Sequence, residues 1–432
     1  MYKQFNNPDT LGVISSYPSQ NGEIARANAI SRYSYLLTNS FSETQKVVVF
    51  CEKRSDKDVP YLLKENILVV PSYIHDSQLL DFDLTSQILK FGRIKDFLVQ
   101  FEFSIYGGKR VIPAFLAVLL TLKVLGKNTS LVLHQVVRDL NELTGHLGMH
   151  QGTLKMEVFN MALAGFYLFT GWSANRIVVH DKLLKSRLSE FVDENKILVI
   201  PHAVGDIQKK NLNSRSKLIA RRSFGLGKKD KVIGVYGYRS WYKGTDWIIN
   251  TVRQLSLQYP GKRIKLLVAG GVSPTLKDTW SYKNFDRRIK RVIKNADGSV
   301  VVTGFIKEKD VWKVFAASDV MVFPYRTRMS ASGAFSLTMA FEKPFLVSRP
   351  FAEGMNLSEK KLIFDLNTFS FEQRFLEMTK NRKLSSKSIQ ICQNISKNSS
   401  WPSIATLYLN SALSASIFVG DANAIEKAYR LA

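Results

Sequence analysis

Short apolar runs alternate with segments of helical periodicity along almost the whole of this 432-residue chain. Runs rich in Val, Ile and Leu, such as residues 67–70 and 130–134, have the length of buried strands, and amphipathic segments such as residues 181–191 lie between them. The alternation predicts βαβ units, in which helices cover both faces of a parallel sheet. Because one hydrophobic core rarely serves a chain of this length, we expect two domains.

The predicted strands form two series, and a polar, basic stretch at residues 205–217 separates them as an interdomain linker would. We therefore expect an α/β protein with two Rossmann-like domains, residues 1–203 and 217–400, that face one another across a cleft. Ligands of open α/β sheets bind beyond the carboxyl ends of the strands, so the facing edges predict one shared site. The predicted strands are residues 12–15, 46–50, 67–70, 97–101, 130–134, 176–179, 196–200, 231–236, 264–269, 299–303, 320–323 and 344–347.

The basic residues are concentrated in the second half of the chain. Of the net charge of +25, residues 1–200 contribute 22 Lys+Arg against 19 Asp+Glu, and residues 201–432 contribute 39 against 17. This asymmetry indicates an anionic partner, namely a phosphorylated ligand, an anionic membrane surface or nucleic acid, although a solvated basic surface explains part of it. The sequence has no RNA-binding motif and no regular interleaving of aromatic and basic residues, which disfavours nucleic acid.

The start of the chain lacks the basic residues and apolar run of a signal peptide, so we expect a cytoplasmic protein. Two apolar segments, residues 111–122 and 156–172, are too short or too polar to cross a membrane, which favours buried helices. An in-plane contact of either segment with the inner membrane surface is left open. The two cysteines, Cys51 and Cys392, lie far apart in sequence, which argues against a disulfide scaffold or a cysteine metal site.

The loop that follows the predicted strand 231–236 carries two cations, Arg239 and Lys243, after Gly237. Cations at the end of a strand can bind a diphosphate without a metal ion, although exposed loop cations are also common. A second candidate is the segment with Tyr325 and Ser332-Gly333, which precedes a predicted helix. Small residues at a helix start let backbone N–H groups approach a phosphate, although capping alone would also explain Ser332.

Other candidates give weaker signals. Gly270-Gly271 follows a predicted strand and is suited to a tight turn beside a nucleotide, but a glycine pair is not specific. The loop at residues 15–22 does not match the dinucleotide fingerprint, so NAD is disfavoured and no cofactor is expected. His134 ends a predicted strand, where its imidazole would point into the cleft, although a lone histidine is more often structural. His180 and His202 occupy similar positions.

A metal site is not expected from this sequence. His146 and His150 have the i, i+4 spacing of zinc ligands on a helix. They lack an accompanying Glu motif, however, and the glycines at 145, 148 and 152 weaken a helix there.

In order and spacing, these pieces resemble the retaining GT-B glycosyltransferases of family 4, the large glycosyl transferases group 1 set. The resemblance covers nearly the whole chain and implies that residues 401–432 contain a helix that crosses back to the N-terminal domain. The segments that carry it are residues 12–22, 100–108, 131–134, 200–205, 239–244, 269–271, 323–325, 332–333, 343–344 and 400–409.

The resemblance implies transfer of a hexose-type sugar from a nucleotide-diphosphate donor to a glycan or lipid-linked acceptor, with retention of configuration. It assigns Arg239 and Lys243 to the donor diphosphate and Ser332-Gly333 to phosphate through backbone amides. It also places His134 near the sugar, and it gives His134, Arg239 and Lys243 the catalytic roles. The remaining donor-binding positions are Gly22, near the leaving phosphate or the acceptor, Gly237, Gly270, Gly271 and Tyr325.

One departure from the family pattern concerns two glutamates, one near the sugar and one on the ribose. Counted back from Lys343, their positions hold Met329 and Leu337, and Glu342 replaces the usual glycine. The loss of both carboxylates leaves a second hypothesis open, a catalytically inactive GT-B protein that binds a nucleotide, a glycan or a partner enzyme.

Overall fold

The strands of the computed structural model form two separate, mainly parallel sheets. The structure describes residues 2–19, 29–55, 57–144, 152–205, 212–273, 276–296, 298–355, 357 and 359–412. The first sheet has the order β3-β4-β2-β1-β5-β6-β7-β8, and all its pairs are parallel except the β3–β4 pair. Its strands are β1 Leu11–Ile14, β2 Val47–Lys53, β3 Tyr61–Lys64, β4 Ile67–Ile74, β5 Asp96–Phe101, β6 Asn128–Leu133, β7 Arg176–Val179 and β8 Ile197–Val199.

The second sheet is parallel throughout and has the order β11-β10-β9-β12-β13-β14. The reversal of strand order beside β9 places the ends of β9 and β12 next to each other, where ligands of such sheets bind. Its strands are β9 Lys231–Tyr236, β10 Ile264–Ala269, β11 Val300–Gly304, β12 Val320–Phe323, β13 Phe345–Ser348 and β14 Ile363–Phe364.

Helices connect the strands, and polar side chains cap many of their first turns, as Thr153, Asp181, Asn213, Thr279 and Ser332 do. The α-helices are Tyr2–Phe5, Ala29–Asn39, Leu80–Lys90, Ile112–Val124, Leu154–Ser173, Lys182–Leu188, Ser214–Ser223, Thr245–Gln258, Trp280–Lys294, Val311–Ala317, Gly333–Ala340, Arg349–Ala352, Thr368–Lys380, Arg382–Asn398 and Trp401–Leu407.

The last helix described, Trp401–Leu407, packs against the first sheet although it follows the second one in sequence. Trp401, Ile404 and Tyr408 are buried in one cluster with Tyr33 of helix Ala29–Asn39. The Tyr33 and Tyr408 hydroxyl groups lie 3.0 Å apart. The predicted fold is therefore confirmed, including the helix that crosses back to the N-terminal domain.

The predicted strands are all present, four of them with the predicted ends and the others with ends shifted, whereas β3 and β14 were not predicted. Helix Ser214–Ser223 begins within the stretch that we expected to be a linker, and residues 206–211 lie outside the described part. Neither apolar segment of the first half forms a fully buried helix, because helices Ile112–Val124 and Leu154–Ser173 each expose large apolar side chains. No helix in the described part is long and apolar enough to cross a membrane.

Gly244 joins the loop after β9 to helix Thr245–Gln258. Its φ of 67° lies in the left-handed region, and a Cβ atom there would lie 2.0 Å from the Pro324 carbonyl oxygen. Only glycine fits both conditions, and the close approach brings the loops after β9 and β12 into contact.

We predict that Gly244→Ala lowers the free energy of unfolding more than Gly225→Ala does. Gly225 has the same φ of 67°, but nothing lies within 4 Å of the position of its Cβ. Gly225→Ala should therefore cost only the conformational strain, about 1 kcal/mol, and Gly244→Ala, which adds the steric clash, about 3 kcal/mol. Chemical denaturation measures both, and equal losses would contradict the close contact with Pro324.

Candidate functional site

The two sheets meet through main-chain hydrogen bonds at the carboxyl ends of their strands. The Val136 amide donates to the Met329 carbonyl oxygen at 3.1 Å, and Gln135 and Ser330 form an antiparallel β-bridge. The Met329 side chain is 7% exposed and packs into the core of the first sheet. The segment after β12 is thereby held against the segment after β6, which forms the floor of the cleft.

Buried charges reinforce this contact. Arg328 Nη2 lies 2.9 Å from Asp181 Oδ2, across the two domains, and both side chains are almost fully buried. Arg187 donates to the Arg328 carbonyl oxygen at 2.6 Å and pairs with Glu142 at 3.2 Å. Sequence reasoning missed these residues. The position of Asp181, directly after β7, is the one signal that could have found it.

The loop after β9 is fastened to the loop after β12 by Arg326. Its guanidinium binds both carboxylate oxygens of Asp246, at 2.8 and 3.0 Å, and lies 4.9 Å from the centre of the Trp241 ring. The Arg326 amide donates to the Tyr242 carbonyl oxygen at 2.7 Å. These contacts fix the backbone on which Lys243 is carried.

Lys243 is a half-buried cation in this loop. Burial lowers the pKa of Lys243 to about 8, and no described carboxylate forms an ion pair with it. The ammonium group lies beside Gly237 at the end of β9, where a Cβ would be 3.4 Å from Lys243 Nζ, and the φ of 111° at Gly237 favours glycine. A desolvated ammonium without a carboxylate partner is suited to binding an anionic ligand.

Arg239, the other predicted cation, is engaged within its own domain. Arg239 is 8% exposed, and its Nη2 donates to Asp286 Oδ1 at 3.1 Å. Its backbone is held by Gly271 and Tyr282. The Nε atom is buried without a hydrogen-bond partner. In this arrangement Arg239 is not open to the cleft, and its role toward a diphosphate stays a prediction.

The predicted glycines lie where three strand ends converge. A Cβ on Gly270 would lie 1.9 Å from the Gly237 carbonyl oxygen, and one on Gly271 would lie 3.3 Å from the Phe305 amide nitrogen. Gly270 also forms an antiparallel bridge with Gly304, which sequence reasoning missed. Close main-chain packing at the ends of β9, β10 and β11 therefore requires glycine.

Ser332 and Gly333 begin helix Gly333–Ala340, as predicted. Ser332 Oγ accepts from the Phe335 amide at 3.3 Å and lies 3.1 Å from the Tyr325 hydroxyl group. The amides of Gly333 and Ala334 belong to the first turn, where no intrahelical acceptor exists. Gly333 is exposed, and nothing lies within 4 Å of the position of its Cβ, so this helix start can accept an anion.

Tyr325 connects this helix start to the loop of Lys243. Tyr325 is 5% exposed, and the centres of the Tyr242 and Tyr325 rings are 5.8 Å apart. Burial raises the pKa of the Tyr325 hydroxyl to about 12, so it stays a hydrogen-bond donor at neutral pH. The structure thus brings together Gly237, Lys243, Tyr325 and Ser332 of the predicted set.

Three histidines from the ends of β6, β7 and β8 lie close together in the first domain. His134 Nδ1 is 3.1 Å from His180 Nε2, and His180 Nδ1 is 3.0 Å from the Ile200 carbonyl oxygen. His202 Nδ1 is 3.2 Å from Ser336 Oγ of the second domain. Burial lowers the pKa of His180 to about 3 and the pKa of both His134 and His202 below their usual range.

The Ile200 carbonyl oxygen can only accept, and this sets the tautomers of the neutral rings. His180 donates from Nδ1, so its Nε2 accepts from His134 Nδ1, and the unprotonated nitrogen of His134 is Nε2. That atom lies 2.6 Å from Gln100 Oε1, whereas Gln100 Nε2 is buried without a hydrogen-bond partner, so the amide oxygen and nitrogen of Gln100 have to be exchanged for a hydrogen bond to form. With the Gln100 amide nitrogen as donor to His134 Nε2, every hydrogen bond from Ile200 through His180 and His134 to Gln100 has one donor and one acceptor. Both nitrogens of His134 are therefore engaged by neighbouring side chains.

One carboxylate of the first domain reaches the cleft from the end of β5. Glu102 accepts from the Ser104 amide at 3.2 Å and from its hydroxyl group at 2.5 Å. Burial raises the pKa of Glu102. Burial also raises the pKa of Tyr242 in the second domain, and the charge of Glu102 adds a smaller contribution. Sequence reasoning missed Glu102. The predicted donor-binding residue Gly22 lies outside the described residues.

One family model matches part of the second half of the chain. Residues 230–378 match the model of the family described as Glycosyl transferases group 1. This range contains the loops that carry Lys243 and Ser332. No curated protein sequence matches this chain.

The chain is similar over nearly its full length to several solved structures. The structure of trehalose-6-phosphate synthase OtsA has a TM-score of 0.71 and 9% identity, over 93% of this chain and 98% of that one. HepE from Anabaena, in complex with UDP and glucose, has a TM-score of 0.65 and 12% identity, over 93% and 98%. A glycosyltransferase from Rickettsia africae has a TM-score of 0.64 and 15% identity, over 94% of this chain and 98% of that one. Identities this low show the fold, two parallel-sheet domains arranged as in GT-B glycosyltransferases.

We predict that acid destabilises the protein through the buried histidines. The unfolded chain binds protons below about pH 6.5, whereas the folded chain keeps these rings neutral, so the free energy of unfolding decreases as the pH falls. His180 should contribute about 1.4 kcal/mol per pH unit between about pH 6 and pH 4.

Urea denaturation at several pH values measures this slope. His180→Gln should reduce it. An equal slope in His180→Gln and the wild type would refute the assignment of the acid sensitivity to His180.

Proposed function

We propose that this protein is a retaining glycosyltransferase of family 4 that transfers a hexose-type sugar from a nucleotide-diphosphate donor to a glycan or lipid-linked acceptor. The observation that carries the proposal is Lys243, a half-buried cation that has no carboxylate partner among the described residues, in a loop that contacts the segment before the helix start at Gly333. The family match over residues 230–378 includes both features. Among similar structures, HepE is in complex with UDP and glucose, which favours a uridine nucleotide as the first donor to test.

The arrangement explains how transfer would proceed without a metal ion. Cleavage of the sugar–phosphate bond makes an oxocarbenium-like centre and builds negative charge on the leaving phosphate. Lys243 and the first-turn amides of Gly333 and Ala334 offer a fixed cation and fixed dipoles to that charge. Because they are oriented before the reaction, they stabilise the transition state more than the ground state. We place the protein in the cytoplasm, where nucleotide sugars are the donors.

The first domain would bind the acceptor side of the reaction. Glu102, with its raised pKa, and His134 lie at strand ends that face the cleft. In the proposed reaction a carboxyl group in this position accepts a hydrogen bond from a sugar hydroxyl group. His134, whose tautomer is set by His180, would act through Gln100 or after a rearrangement of that contact.

We predict that Lys243→Ala weakens nucleotide-diphosphate binding roughly tenfold to hundredfold, the loss of a charge-assisted hydrogen bond. A thermal-shift series with UDP, GDP and their sugars measures the effect, because a ligand that binds only the folded state raises its apparent stability. Lys231→Ala is the matched control, since Lys231 is exposed at the opposite end of β9.

Sugar transfer measured with the best-bound donor completes this test. The proposal is supported if the wild type transfers the sugar and the Lys243→Ala variant does not. Undiminished binding and turnover in Lys243→Ala would rule out the diphosphate site, and equal losses in Lys231→Ala would show that the effect is not local.

A second candidate function, a GT-B protein that binds a nucleotide or glycan without transferring a sugar, is favoured by three observations. Met329 occupies a position where the family usually has a carboxylate and is packed into the core of the first domain. Arg239 is paired with Asp286, and both nitrogens of His134 are engaged. Saturable nucleotide binding with neither hydrolysis nor transfer of any donor would select this alternative.

A further inference from the structure

The helix Leu154–Ser173 exposes a face that is apolar along almost its whole length. The exposed side chains follow the spacing i, i+4, i+7, i+14 and i+18, with Gly165 at i+11, so they form one straight stripe. A helix of this length extends about 30 Å. The apolar stripe consists of Leu154, which is 76% exposed, Val158 at 52%, Met161 at 74%, Leu168 at 57% and Trp172 at 51%.

The neighbouring helix Ile112–Val124 extends this apolar surface. Leu120 and Val124 of this helix are 39% and 77% exposed, and Leu125, which follows it, is 40% exposed. Both helices pack on the same face of the first sheet, through Leu122 and Phe166 among others. An exposed apolar patch of this extent marks a surface that is covered by something other than water.

Cations surround the stripe. Lys123 Nζ lies 4.7 Å from the centre of the Trp172 ring and donates to the Trp172 carbonyl oxygen at 2.9 Å. Lys109 and Lys155 lie 5.6 and 6.0 Å from the centre of the Phe159 ring. With Arg110, four exposed cations accompany the single exposed carboxylate of helix Leu154–Ser173, Glu157.

We propose that this face binds an anionic phospholipid bilayer, with helix Leu154–Ser173 lying in the plane of the membrane surface. The apolar side chains would enter the boundary of the acyl chains, while Trp172 and the lysines stay at the level of the charged headgroups. The same cations disfavour a second copy of the chain, because self-association through this stripe would bring like charges together. This inference does not depend on sugar transfer.

The stripe also begins near the cleft. Helix Leu154–Ser173 follows the turn Leu140–Leu143, which continues from the end of β6, and it runs back to the start of β7. Asn160 ties the helix to that turn by donating to Asp139 Oδ1 at 2.8 Å. A membrane that contacts the stripe would therefore pass close to the rim of the cleft at the carboxyl ends of the strands.

Cosedimentation of the full chain with vesicles tests the proposal. We expect binding to phosphatidylcholine vesicles that contain phosphatidylglycerol, weaker binding to phosphatidylcholine alone, and weakening by salt. The double variant Met161→Glu with Leu168→Glu should lower the partition coefficient about tenfold or more. Its matched control is Leu257→Glu with Phe369→Glu, which makes the same charge change at side chains 61% and 69% exposed in the second domain.

The cationic contribution is tested separately. Lys123→Gln should weaken binding to the anionic vesicles about fivefold and leave binding to phosphatidylcholine unchanged. An unbound wild type would overturn the proposal. Equal loss in the stripe variant and its control would also overturn it, since binding would then come from the basic second half.

Light scattering on the same variants identifies a competing occupant. A stable wild-type dimer that becomes monomeric in the Met161→Glu, Leu168→Glu variant would assign the face to a second copy and overturn the lipid proposal. If the wild type and the double variant are both monomeric, the result supports the lipid proposal.

Discussion

Backbone pairing between Gln135–Val136 and Met329–Ser330 holds the carboxyl ends of two parallel sheets against each other, and the rest of the cleft depends on it. Every functional candidate that the structure describes follows a strand at this edge, in a loop or at the helix start that comes after it. The ion pair between Arg328 and Asp181 strengthens the contact between the domains. The two charges also depend on that contact, because either one without its partner would be buried and unpaired. The two domains therefore form one floor beneath the site.

The positive potential of the second domain is concentrated at Lys243, because the carboxylates near the loop after β9 pair with other cations. Arg326 and Arg239 are neutralised by Asp246 and Asp286, and both serve to shape loops. Lys243 differs because it is desolvated without such a partner. An anion that entered beside Gly333 would remove the cost of burying the ammonium group, so ligand binding and the stability of this loop are coupled.

Periodicity and strand length predicted twelve of the fourteen described strands and their division into two sheets, because both report burial directly. The returning helix was predicted from the resemblance to a known family, not from periodicity. The sequence also placed Lys243 and Ser332 correctly at strand and helix ends. It could not show that Arg239 turns to Asp286, since a partner 47 residues away is decided by packing. For the same reason Arg328, Glu102 and the contact between His134 and His180 were invisible. The apolar segments were misjudged as buried because apolar composition alone does not distinguish a core from an exposed stripe.

The lowered pKa of Lys243 has a chemical consequence that does not depend on which ligand binds. A lysine whose pKa falls from 10.5 to about 8 holds on the order of a hundred times more of the neutral amine at physiological pH than an ordinary lysine does. The neutral amine is a nucleophile, whereas the ammonium ion is not. Lys243 is therefore more reactive than a lysine of ordinary pKa toward electrophiles that enter the cleft, and a bound anion would protect it by restoring its proton.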